Sequence, residues 1–204
     1  MYTAVIGLSA VIVLVLVLFH LDKKRASARK AHDKKWKEFF SSLLAVAKRA
    51  SAKAPTDSLA HEMVMDAATR QVLPRPSAPL RNIGLGDYIR RYEEGIELIK
   101  EADAHISALS STASIAEFKA PATDVAWKML WDSILESYLK LSAQKPDNEE
   151  LHILILEACC HLVLPVNYGG PTRIITRADH VNHYNRGLDI VAQVNQALNQ
   201  SSAG

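Results

Sequence analysis

The chain has only two cysteines, Cys159 and Cys160, and they are neighbours. That excludes a disulfide scaffold, and no C-x-x-C is present for metal or redox work. Adjacent helical residues point about 100° apart, so the two thiols read as small buried apolar groups in a reducing compartment. Glycine is sparse, at 8 of 204 residues. Gly84-Leu85-Gly86 lacks the third glycine of a dinucleotide loop, and no strand precedes it. G-x-x-x-x-G-K-[ST], G-x-S-x-G and H-E-x-x-H do not occur. No alternating strand pattern and no internal repeat is evident. The hydrophobic fraction of 49% excludes a wholly disordered chain. With no catalytic motif left, the expectation is a protein that is not an enzyme and has no cofactor.

Charge is missing from one long stretch. Tyr2 to Leu21 reads YTAVIGLSAVIVLVLVLFHL, without Asp, Glu, Lys or Arg. Twenty helical residues cover roughly 30 Å, the thickness of a bilayer's hydrocarbon core. A helix also satisfies its own backbone in lipid. Residues 1–21 are therefore expected to be a transmembrane anchor. A cleaved signal peptide would need a basic start and a small-x-small cleavage site; Met1-Tyr2-Thr3 and Phe19-His20-Leu21-Asp22 supply neither. Lys23, Lys24, Arg25, Arg29, Lys30, Lys34, Lys35 and Lys37 follow the run, and no basic side chain precedes it. The positive-inside rule then places the N-terminus outside and the bulk of the chain on the cytoplasmic face, or the matrix or stromal face of an organelle.

Residues 22–54 form a basic juxtamembrane segment, with eleven Lys/Arg against three acidic side chains. Residues 55–204 are acidic, with 13 basic and 19 acidic side chains. A basic collar beside a membrane span fits anionic lipid, at on the order of 1 kcal/mol per Lys or Arg. Nucleic-acid binding would need a basic folded domain and is not expected. Within the collar Trp36, Phe39, Phe40, Leu43, Ala47 and Ala50 recur at helical spacing, with Lys37, Lys48 and Arg49 off that stripe. This amphipathic helix can dock on the protein's own core or lie in the headgroup region, where Trp36 would join the basic side chains.

Residues 55–82 read as a linker. It carries a short apolar-periodic piece (Leu59, Met63, Ala67) and then Leu73-Pro74-Arg75-Pro76-Ser77-Ala78-Pro79, a proline-rich spacer between anchor and domain. Residues 83–204 show four helical segments. The first is lined by Ile89, Tyr92, Ile96, Ile99, Ile106 and Leu109. The second is lined by Trp127, Leu130, Trp131, Ile134, Tyr138 and Leu141, and ends at Pro146. The third opens on a capping box at Asp147–Glu150 and is apolar nearly all round from Leu151 to Leu164. The fourth runs from near Thr176 to Asn199, with Val181, Tyr184, Leu188, Val191, Val194 and Leu198 inward. The fold class is all-α: a transmembrane helix, a basic amphipathic helix, a spacer and a four-helix-bundle-like domain.

Among the histidines, His180 and His183 lie at i,i+3, and Glu157 and His161 at i,i+4 on another helix. If these faces met, they would assemble imidazoles and a carboxylate as bundle metal sites do. A polar helix face explains the same residues. Trp127 and Trp131 would line an aromatic pocket for lipid or a small molecule, or fill the core. The functional expectation is a single-pass, membrane-anchored adaptor or accessory subunit. Its partners would be anionic lipid and another membrane-associated protein, with homo-oligomers allowed. A metal-binding or enzymatic bundle using Glu157, His161, His180 and His183 is the alternative, with a lipid- or small-molecule-binding module behind it.

Overall fold

A computed structural model describes residues 34–71, 85–109, 125–162 and 177–201. The apolar run over 2–21, the collar residues Lys23, Lys24, Arg25, Arg29 and Lys30, and the proline-rich spacer lie outside the described residues. Among the described residues no helix is long and apolar enough to cross a membrane. Every described element is helical. We number them α1 (34–53), α2 (Ser58–Thr69), α3 (Leu85–Ala108), α4 (Val125–Gln144), α5 (Glu149–Cys160) and α6 (Arg177–Ser201). The chain divides into an N-terminal unit ending at Glu38 and a larger unit from Phe39 onward. In the first, Lys34, Lys35 and Lys37 are exposed, Trp36 is buried, and Lys34 pairs with Glu38 at 3.8 Å.

The larger unit is built by helices that the sequence had divided between collar, linker and domain. From Phe39 onward α1 buries Phe39, Leu43, Val46, Ala47 and Ala50. Its apolar stripe therefore belongs to the bundle core, and the stripe's aromatic end leans on α3, with Phe39 and Tyr92 ring centroids 6.1 Å apart. Residues 55–57 make the turn, and the Asp57 side chain caps α2 by accepting from the Ala60 N–H. The short linker helix turns out to be the most enclosed: Ala60, His61, Val64, Met65, Ala67 and Ala68 are wholly buried, and it packs on α3, α4 and α5. The proline-rich segment thus joins two packed helices of one unit, in which the expected amphipathic helix and short linker helix stand with the four expected in the domain. The expected stripe residues Leu59 and Met63 are only half-buried; the inward face is formed by Ala60, His61, Val64, Met65, Ala67 and Ala68, mostly small side chains that signal a core helix weakly.

Three further expectations shift. α3 turns Arg91, Gly95, Ile99, Ala102 and Ile106 inward, whereas Ile89 is 45% exposed. Apolarity misled there because the inward face carries a glycine and an arginine that donates to the Thr69 carbonyl of α2. α5 is capped by Asn148, not Asp147, whose side chain accepts from the Leu151 N–H at 3.1 Å, and it stops at Cys160 instead of running to Leu164. On α6, Val181 is 50% exposed while Ile190, Val191, Val194 and Leu198 are buried. The six expected core residues of α4 are all buried.

The helices form two matching halves, contrary to the expectation of no repeat. α1 and α4 span 34–53 and 125–144, and α2 and α5 span 58–69 and 149–160, a shift of 91 residues throughout. α3 and α6 follow at 92. The shift aligns Trp36-Lys37 with Trp127-Lys128, Ser51-Ala52 with Ser142-Ala143, Pro55 with Pro146 and His61 with His152. Val72-Leu73-Pro74 then matches Val163-Leu164-Pro165, and Asp87, Tyr92 and Gly95 match Asp179, Tyr184 and Gly187. Geometry repeats with identity. Asp57 and Asn148 cap their helices through the same bond, and Arg70 and His161 close α2 and α5 with the same pair of backbone bonds. Equivalent positions meet where α1 and α4 run side by side in the same direction, with Ser51 Oγ and Ser142 Oγ 2.7 Å apart. The two halves are therefore related by an approximate internal twofold through that contact.

Candidate functional site

A buried polar cluster lies on the internal twofold. His61 Nδ1 is 2.6 Å from the Asp57 carbonyl, which only accepts, so Nδ1 carries the proton. Nε2 is then an acceptor 2.7 Å from Ser142 Oγ, whose single proton is shared between it and the Tyr138 carbonyl at 2.9 Å. Ser51 in turn donates to Ser142, and the Tyr138 hydroxyl donates to the Ala47 carbonyl at 3.2 Å. The Tyr138 ring meets His61 edge-on at 4.4 Å and His152 at 5.9 Å. Burial pushes His61 and His152 below the usual imidazole range and Tyr138 above the usual phenol range. A serine donating to an oriented histidine is the first half of a nucleophile–base pair. Here, however, His61 is 0% and Ser142 2% exposed, so the pair is a satisfied core network. His152, also fully buried, donates from Nε2 to the Pro146 carbonyl at 2.8 Å, and its Nδ1 has no partner.

A second site occurs twice, once in each half. In the first half α2 ends in Arg70, which donates to Asp66 at 2.9 Å, Thr69 Oγ1 at 2.7 Å and Glu94 at 3.3 Å. Arg91, on α3, is 1% exposed and donates to the Thr69 carbonyl. Burial, then Arg70 and Arg90, lowers its pKa to about 10. Asp66 is raised by burial, an effect larger than the opposing pull of Arg70. In the second half the equivalent residues are His161, at the end of α5, and His183, on α6. Their Nδ1 atoms are 3.3 Å apart and their ring centroids 5.5 Å. Burial, with His183 and Arg186 nearby, lowers the His161 pKa to about 4. In both halves a glycine lets the third helix approach. A Cβ on Gly95 would meet the Phe39 ring and Arg70 Cβ; on Gly187 it would meet the equivalent Leu130 and His161.

Of the four residues singled out as metal candidates, the structure brings His161 and His183 together. His180 is exposed, and Glu157 lies one turn before His161 on α5, half-buried. Among the described residues no group of three or more His, Cys, Asp or Glu side chains is placed to hold a metal ion. Trp127 and Trp131 stack at 5.2 Å and are 7% and 1% exposed, so that aromatic face is core. Cys159 and Cys160 are buried and form no disulfide, and burial raises the Cys159 thiol. Sequence reasoning missed Arg70, Arg91, His61 and Ser142. The signal available for the last two was the pattern S-A-x-x-P-x-x-x-x-x-H, present at 51–61 and again at 142–152. Comparison with family models, curated proteins and solved structures finds no match to the chain.

Proposed function

We propose that the chain is a non-catalytic, single-pass membrane protein. Its duplicated six-helix unit would act as an adaptor or accessory-subunit domain held close to the bilayer. One observation carries this reading: the bundle's first core residue, Phe39, follows the apolar run ending at Leu21 by only 17 residues, the last five of them helical. Twelve extended and five helical residues reach no more than about 50 Å. Such confinement raises the domain's effective concentration for partners on the same membrane. The collar, with Lys23, Lys24, Arg25, Arg29, Lys30, Lys34, Lys35 and Lys37, supports contact with anionic headgroups. Burial of the Ser142–His61 pair supports a non-catalytic role.

Cross-linking mass spectrometry on tagged protein, gently extracted from its native membrane, tests this. Stoichiometric cross-links from residues 39–204 to one other membrane-associated protein are expected. Recovery of the chain in the soluble fraction, or alone in the membrane, would refute the adaptor reading.

A further inference from the structure

The duplication exposes a pair of positions that changed chemistry together. Arg70 and Arg91 occupy them in the first half, His161 and His183 in the second. The acceptors that serve the arginines, Asp66, Thr69 and Glu94, correspond to Glu157, Cys160 and Arg186. An ion-paired arginine site thus gives way to two imidazoles facing one another through Nδ1 at 3.3 Å. At that separation one ring donates its Nδ1–H to the other. The same separation fits two corners of a tetrahedral ion, which would displace that proton: nitrogens bound at about 2.0–2.1 Å lie about 3.3–3.4 Å apart.

The surroundings hold both rings in place. His161 ends α5, where its backbone N–H bonds the Ala158 carbonyl and the Leu162 N–H bonds the Cys159 carbonyl. Gly187, one turn beyond His183 on α6, comes close enough to His161 that an added Cβ would lie 3.5 Å from His161 Cβ. His161 is 4% exposed, whereas His183 is half-buried, so the pair can be reached from the α6 side. We propose that His161 and His183 form a two-nitrogen clip for a divalent transition-metal ion of the Zn2+ class. Water or an external ligand completes the coordination, since no third ligand is placed there among the described residues. This site is independent of the adaptor reading, and either stands without the other.

The test uses full-length protein in mild detergent, stripped with a chelator and dialysed. Calorimetric titration with Zn2+ is expected to give one ion per chain, and Co2+ to give the visible absorption bands of a tetrahedral site. His183→Ala alters a partly exposed position and should weaken Zn2+ binding at least about tenfold, since even supporting groups outside the ligand set are worth that much. His161→Ala should do the same. His180→Ala, on the exposed face, should bind as the parent does. Absence of stoichiometric Zn2+ binding would overturn the proposal, as would parental affinity in His183→Ala. If His161→Ala fails to fold, His183→Ala decides alone, with circular dichroism confirming that it retains its helices.

Discussion

Replacing Gly95 by alanine should destabilise the bundle, although glycine is the poorer helix former. In an exposed helix interior the change would gain about 0.8–1 kcal/mol from propensity. Here the new methyl would lie 2.5 and 2.7 Å from two Phe39 ring carbons and 3.2 Å from Arg70 Cβ. Ordinary contact begins near 3.4 Å, so the ring must retreat by almost 1 Å. Phe39 is 0% exposed, and a rigid ring in a close-packed interior has nowhere to go. Overpacking of this kind costs about 1–3 kcal/mol. The net loss is about 0–2 kcal/mol, at roughly 2–4 °C in Tm per kcal/mol for a domain of this size. The matching change, Gly187→Ala, would bring its methyl to 2.8 and 3.0 Å from the two Leu130 methyls. A leucine can turn away at about 0.5–1.5 kcal/mol, so this variant should be near neutral. Urea and thermal unfolding of the full chain in mild detergent, followed by far-ultraviolet circular dichroism, compares the two. A Gly95→Ala protein as stable as the parent, or less affected than Gly187→Ala, would refute the packing argument.

Tyr138→Ala should cost about 3–5 kcal/mol by emptying a wholly buried aromatic site. Because Ala47 is its counterpart across the twofold, the exchange Ala47→Tyr with Tyr138→Ala should recover part of that loss. Unfolding curves showing the double variant less stable than Tyr138→Ala alone would refute the symmetry argument. Acidification should weaken the fold through His61 and His152. Burial lowers their folded pKa values, so below the unfolded value of about 6.5 the unfolded chain takes up more protons. Their contribution is complete above that pH and is lost as pH falls through the lowered folded values. Asp66 and Glu62, both raised by burial, act in the opposite direction. Urea midpoints from pH 7.5 to 5 should fall, and His61→Gln with His152→Gln should flatten that slope; an unchanged slope would sink the assignment.

Helix existence was legible in this sequence and helix partnership was not. The α4 stripe, from Trp127 to Leu141, was readable because large apolar residues fell at regular spacing on one face. The inward face of α3 was not. Arg91 sits there with its charge answered by a carbonyl from α2, and Gly95 sits there because Phe39 leaves no room for a Cβ. A sequence shows neither the carbonyl nor the ring. α2 reads as part of a linker because its inward face is built largely from alanines and a histidine, whose burial only the packed neighbours α3, α4 and α5 reveal. The histidines show the same limit: His161 and His183 share no sequence spacing, and only the packing of α6 on α5 brings their nitrogens to 3.3 Å.

The repeat was hidden because the two halves kept the residues that shape them and exchanged much of the rest. Proline and the capping residue persist because the α1–α2 and α4–α5 turns require them, and the glycines persist because the third helix must come close. On the twofold axis, identity is possible only for small residues, since equivalent positions there face each other. Ser51 and Ser142 fit as a pair and share one hydrogen bond. Ala47 and Tyr138 fit because they differ: two tyrosines would compete for one space, and two alanines would leave it empty. Neither half could now pair with a copy of itself as well as it pairs with the other. The same divergence separates Arg70 and Arg91 from His161 and His183, away from the axis, where no steric rule demanded a change. The difference at the axis is explained by packing; the difference at the histidines calls for a chemical reason, which a bound metal ion would supply.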